Sequence, residues 1–90
     1  MPSVRIPFYL RKYVGGASEV PVASATVRAA LAELERTQPQ LYPNICDETG
    51  KVRRHLHVFV NLAELRDLQG LDTAIEPGDV VIILAAVSGG

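Results

Sequence analysis

Tryptophan is absent, cysteine occurs once, and no apolar run approaches the ~20 residues that a bilayer-spanning helix needs. The single cysteine, Cys46, excludes an internal disulfide and any multi-cysteine zinc site. Charge of one sign is also missing: nine basic and ten acidic residues leave a net charge of −1, so there is no dominant electrostatic footprint for nucleic acid. With only three Tyr and two Phe, stacking platforms for single strands are scarce. The opening decapeptide, MPSVRIPFYL, has no charged start, long apolar stretch or small-residue cleavage site, so a cytoplasmic chain is expected. What is present is ordinary for a globular chain, with 48% hydrophobic and 21% charged residues in 90. That length supports one domain, because a second would be too small to bury its own core.

The chain divides into short elements. Ser3 to Leu10 alternates, with Val4, Ile6, Phe8 and Leu10 on one side, and reads as a strand. Pro7 cannot donate to a sheet ladder and implies an edge or a bulge. The Gly15-Gly16 pair suits a tight hairpin turn into a second strand over Glu19 to Ala23. Thr26 or Ser24 can cap the helix that follows, where Val27, Ala30, Leu31 and Leu34 make one apolar face and Pro39 stops it. Asp47-Glu48-Thr49-Gly50 reads as a turn, and Val52 to Val60 as a strand with Leu56, Val58 and Val60 inward and His55, His57 and Phe59 outward. Asn61 to Thr73 is irregular, anchored by Leu65, Leu68 and Leu71. Glu76-Pro77-Gly78-Asp79 has the residues of a type II turn, and Val80 to Leu84, VVIIL, those of a strand in the middle of a sheet. The expected architecture is two-layer α+β: a mixed sheet with one main helix on one face. The acidic excess from Glu64 onward, five acidic residues against one Arg, predicts an acidic surface near the C-terminus that favours a basic partner.

Ser88-Gly89-Gly90 follows the last strand. Glycines at a chain end are commonly a frayed terminus. The alternative is a narrow tail that an enzyme channel can close around, since residues without Cβ present only backbone, with the Gly90 carboxylate as the reacting group. On composition alone the frayed terminus is the favoured reading.

With Gly89-Gly90 at its end, the chain resembles the ubiquitin-like sulfur-carrier family. The stretches HVFVN (His57 to Asn61), QGLDTAIEPGDVVIIL (Gln69 to Leu84) and AVSGG (Ala86 to Gly90) carry the resemblance, with RKYVGG (Arg11 to Gly16) and ATVRAALAELE (Ala25 to Glu35) in support. The family includes the small subunit of molybdopterin synthase, the thiazole sulfur carrier and the cysteine-synthesis carrier, and the last looks nearest. The resemblance implies a β-grasp domain over 1–84 and a flexible tail over 85–90, in which Ala86, Val87, Ser88 and Gly89 thread a partner's active site. It also implies adenylation of Gly90 and its conversion to a thiocarboxylate. On this expectation the chain is a carrier and no enzyme, and it binds no cofactor or metal itself. A partner related to ubiquitin-activating enzymes supplies ATP and Mg. The sulfur acceptor is then a pyridoxal-phosphate cysteine synthase or, if the chain is a molybdopterin synthase small subunit, that enzyme's large subunit. A protein modifier joined through Gly90, or an interaction module with an inert tail, are the readings of other classes. No nucleic acid or membrane is expected as a partner. The chain departs from many relatives at Ala85, Ala86, Ser88 and Leu62.

Other candidates carry less chemistry. His55 and His57 lie two apart on an expected strand, with no third metal ligand in an identifiable position. Cys46 has no visible His and acid to activate it and reads as a small half-buried side chain. Lys51, Arg53 and Arg54 read as a solvated strand face. Phe59, Val80 and Ile82, with Tyr9, either form an apolar docking patch on the sheet face away from the helix or belong to the core; VVIIL has no alternation to decide it.

Overall fold

The computed structural model describes residues 1–85. Five strands form one mixed sheet in the order β2-β1-β5-β3-β4. They are β1 (Ser3–Arg5), β2 (Glu19–Pro21), β3 (Leu56–Val60), β4 (Ala63–Glu64) and β5 (Val80–Ala85). Two α-helices, α1 (Val27–Thr37) and the short α2 (Tyr42–Ile45), complete the regular structure with three 3₁₀ turns. β5 lies at the centre, parallel to β1 and antiparallel to β3. The all-apolar sequence of β5 follows from this position, flanked by strands on both edges.

The α1 helix forms as its sequence predicts. Thr26 caps it, its Oγ1 accepting from the Ala29 N–H at 3.1 Å. Val27, Ala30, Leu31 and Leu34 are buried on one face. They meet Val4 of β1, Val81 and Ile83 of β5, and Leu56, Val58 and Val60 of β3 in a single core. Glu33 fixes the approach to the helix by accepting from the Ala23 N–H and the Ser24 hydroxyl at 2.9 and 2.8 Å.

The first strand is shorter than expected. β1 ends at Arg5, and Pro7 lies past it, leading into a 3₁₀ helix over Phe8–Val14. There is neither a bulge nor an edge at Pro7: β1 is an interior strand, and the residue without an N–H sits where the ladder has already finished. Gly15-Gly16 accordingly closes the 3₁₀ helix, with the Gly16 N–H donating to the Arg11 carbonyl at 2.8 Å. β1 and β2 still pair as a hairpin, Val4 opposite Val20. β2 stops at Pro21, short of Ala23.

The third strand is also shorter, starting at Leu56. Val52 instead makes an isolated bridge to Cys46, and the Arg53 N–H donates to the Ile45 carbonyl at 2.9 Å. Among the three leucine anchors, Leu65 is buried and Leu71 packs against the core, but Leu68 is exposed. Leu68 caps a one-turn 3₁₀ helix, Leu65–Asp67, whose tight repeat turns it outward. The Glu76–Asp79 turn has the expected form: Gly78 sits at φ 91°, and the Asp79 N–H donates to the Glu76 carbonyl at 2.9 Å.

Candidate functional site

Strand register decides the orientation that VVIIL left open. Val81 and Ile83 point to the helix layer and are fully buried. Val80, Ile82 and Leu84 therefore face outward. Ile82 pairs with Arg5 on one side and Phe59 on the other, and Phe59 in turn pairs with Glu64. Val80 lies opposite Ser3, and Leu84 opposite His57. Phe59, Val80 and Ile82 thus share the sheet face away from the helix, half-buried, with Leu84 exposed beside them. Tyr9 is not on a strand; it lies in the 3₁₀ helix.

Polar pairs border this apolar centre. The Ser3 hydroxyl donates to Glu19 at 2.7 Å. His57 Nδ1 lies 2.9 Å from Glu64 Oε2, and Arg66 Nε 3.2 Å from Glu64 Oε1. The His57 contact, with Arg66 behind it, holds the Glu64 carboxyl below its ordinary range. The face thus carries an apolar centre with a hydrogen-bonded polar border.

At one end of β5 the strand is clamped. Asn61 adopts φ 55°, and its side-chain oxygen accepts from the Val80 N–H at 3.0 Å while its Nδ2 donates to Asp79 Oδ1 at 3.1 Å. Asp79 Oδ2 accepts from the Glu76 N–H at 2.9 Å. That backbone bond, followed by the Asn61 bond, lowers the Asp79 pKa. At the other end, Ala85 pairs with Leu56, one residue beyond the expected strand. The tail residues Ala86, Val87, Ser88, Gly89 and Gly90 lie outside the described residues.

The remaining candidates separate. His55 precedes β3, and its Nε2 lies 3.2 Å from the Tyr9 hydroxyl, whereas His57 engages Glu64; the two do not form one site. Among the described residues no group of three possible metal ligands occurs. Cys46 is 1% exposed rather than half-buried. Burial pushes its thiol pKa up, which disfavours the thiolate a nucleophile needs. Burial likewise raises the Tyr42 phenol beside it. Arg53 is held by its Nε bond to the Pro43 carbonyl, and with Lys51 and Arg54 precedes β3 instead of covering a strand face.

The expected acidic surface is displaced. Glu76 and Asp79 sit in the turn that enters β5, the end opposite the one from which the tail departs. Asp72 pairs with Arg28 of α1 at 3.0 Å, and Glu64 is engaged with His57 and Arg66, so the acidic residues are dispersed. Proximity in sequence to the C-terminus did not carry over to space, because β5 takes the chain across the sheet. The Asn61–Asp79 clamp and the Tyr9–His55 contact had no local signal; their partners are 18 and 46 residues apart.

Among the described residues no helix is long and apolar enough to cross a membrane. The sequence profile of the ThiS family matches residues 4–90. The sulfur carrier protein CysO of Mycobacterium tuberculosis is 37% identical over 90 residues, covering 98% of this chain and 97% of the relative. The small archaeal modifier protein 3 of Haloferax volcanii is 35% identical over 66 residues, covering 73% and 71%. In structure, a chain of the Amycolatopsis orientalis BexX/CysO complex superposes with a TM-score of 0.87 at 32% identity over the whole of both chains.

Proposed function

The chain belongs to the ThiS family of ubiquitin-like β-grasp proteins, and from that membership we propose that it is a sulfur carrier working through Gly90, in cysteine synthesis. The observation that supports this most is likeness to CysO along nearly the full chain, together with the closing Ser88-Gly89-Gly90. A carboxylate is a poor acyl donor, because its leaving group is oxide. The Gly90 carboxylate attacks the α-phosphorus of ATP on an adenylating partner, with Mg, and pyrophosphate leaves. Sulfide sulfur then adds to the acyl-adenylate carbon, AMP leaves, and a thiocarboxylate remains. Ala86, Val87, Ser88 and Gly89 carry that group into the partner's active site. The chain contributes the electrophile and later the sulfur; catalytic groups and cofactors belong to its partners.

The outer sheet face suits the docking this requires. Val80 and Ile82, on the strand that leads into the tail, offer an apolar centre together with Phe59 of the neighbouring β3. A pyridoxal-phosphate cysteine synthase fits as the acceptor of this reading, and the large subunit of molybdopterin synthase is its counterpart if the sulfur goes to molybdopterin. The test is intact mass after incubation with an adenylating enzyme of the family, MgATP and sulfide. The expected result is a gain matching one oxygen replaced by sulfur, absent when Gly90 is deleted. No gain with an enzyme active on its own carrier would overturn the reading.

Likeness to an archaeal modifier supports a second reading, conjugation through Gly90 to lysines of other proteins. It is distinguished by heavier conjugates that disappear in the Gly90 deletion.

A further inference from the structure

The end of β5 from which the tail departs has a rim that the outer-face patch does not include. On one side Arg54 and His55 immediately precede Leu56, the residue paired with Ala85. On the other, β1 runs parallel to β5, with Arg5 opposite Ile82, and continues into the 3₁₀ helix that carries Phe8, Tyr9, Arg11 and Lys12. β1 and β3 flank β5, about 10 Å apart at the usual strand spacing. The Tyr9 hydroxyl nevertheless reaches to 3.2 Å from His55 Nε2, so the two sides of the rim meet across the strand end.

This rim is cationic in a chain whose net charge is −1. Lys12 and Arg54 are exposed, and neither forms an ion pair among the described residues. Arg11 is tied locally, donating to the Ile6 carbonyl at 3.0 Å and lying 5.6 Å from the centre of the Phe8 ring. That ring is 83% exposed. The turn that enters β5 at the opposite end holds Glu76 and Asp79, which form no ion pair among the described residues, whereas Asp72 is paired with Arg28. The unpaired charge is thus polarised along the central strand.

We infer that the rim docks onto an acidic collar around the mouth of the enzyme site that takes the tail, with the Phe8 ring as its apolar contact. The inference rests on the reading that Gly90 is adenylated by a partner. Five residues follow Ala85. Fully extended they reach at most ~17 Å at ~3.3 Å each, so the mouth of any such site comes up against this rim. Charges at the edge of an interface act on encounter rate and salt dependence more than on bound-state chemistry. A cationic rim leading with the tail, and an anionic pole trailing, orients the approach to an acidic mouth. Nucleic acid is the poorer occupant, because so few free cations neutralise little of a phosphate track.

The test uses the full chain with an adenylating enzyme of its own organism, MgATP and labelled pyrophosphate, and reads ATP–pyrophosphate exchange against carrier concentration and salt. The double variant K12E/R54E leaves Arg11 and the core untouched, and its thermal midpoint is checked against the parent. The expected result is a carrier KM raised about tenfold at low salt, kcat within about twofold, and a flattened salt dependence. Glu76→Lys, in the exposed turn that enters β5 at the opposite end, should leave KM unchanged. An active parent with an unaltered KM in the double variant overturns the inference and spares the adenylation reading. A fall in kcat alone also overturns it. Loss in the variant of a concentration-dependent oligomer, with KM unchanged, assigns the rim to a second copy of the chain instead. No exchange by the parent chain overturns both readings.

Discussion

Asn61 is the sharpest place to test the structure. It is the residue with positive φ that is not glycine among those described, at 55°, and its side-chain oxygen accepts from the Val80 N–H at 3.0 Å. Replacement by alanine removes that bond, about 1 kcal/mol net. Alanine also lacks the local side-chain hydrogen bonding that lets asparagine tolerate left-handed backbone, up to about 1 kcal/mol beyond what the parent already bears. The contact with half-buried Asp79 is left out of this sum. Asn61→Ala should therefore cost about 1–2 kcal/mol, a sizeable share of the total stability of a domain this size. Asn61→Gly loses the same bond and adds freedom to the unfolded chain, but it relieves the Cβ strain, so it should cost less than alanine, about 1 kcal/mol or below. At ~4–8 °C per kcal/mol, the alanine variant should melt ~4–16 °C below the parent, with glycine in between. Urea titration followed by circular dichroism measures both. If glycine proved as costly as alanine, or both lay within ~0.5 kcal/mol of the parent, the clamp would not be holding the entry of β5.

Two further expectations concern the outer face and acid. Ile82→Asp, with Arg5 and Phe59 beside it, should weaken binding to the adenylating partner at least ~tenfold by isothermal titration while a folded spectrum persists; unchanged affinity would remove the face from docking. Hydrogen bonds hold Asp47, Asp79, Glu33 and Glu64 below their ordinary pKa values: Asp47 through Thr49, Asp79 through the Glu76 N–H, Glu33 through the Ala23 N–H and Glu64 through His57. A lowered folded pKa means that the unfolded chain binds protons first, so the stabilisation is complete above the unfolded values of ~4 and is lost as pH falls below them. The thermal midpoint should drop on the acid side, and D47N/D79N should flatten that drop; an identical slope would show these carboxylates uninvolved.

Much of this was legible in the chain. The Thr26 cap, the spacing of Val27, Ala30, Leu31 and Leu34, and the Pro77-Gly78 turn are local signals, and each formed as read. Where local signals competed with tertiary ones, the reading slipped. Alternation continued past Pro7 through Phe8 and Leu10, yet the chain left the sheet there: Leu10 reached the core from a 3₁₀ turn and Phe8 stayed outside. The facing of Val80, Ile82 and Phe59 needed the register of three strands, which an unbroken apolar run cannot disclose. The rim is less legible still, since residues 9 and 55 meet only because β1 and β3 border the same strand.

The order of the strands has a consequence for how the molecule comes into being. In a synthesis that runs from Met1, β1, β2, α1 and β3 all emerge before the strand that lies between β1 and β3. Until Val81 and Ile83 arrive, the flanks have no shared centre to collapse on, and their edges stay unpaired. A ribosome that stalls before Val80 leaves a chain with neither a closed sheet nor the segment that follows it. On the proposed reading, Gly90 thus becomes available to a partner only in a chain that also holds the strand completing the core.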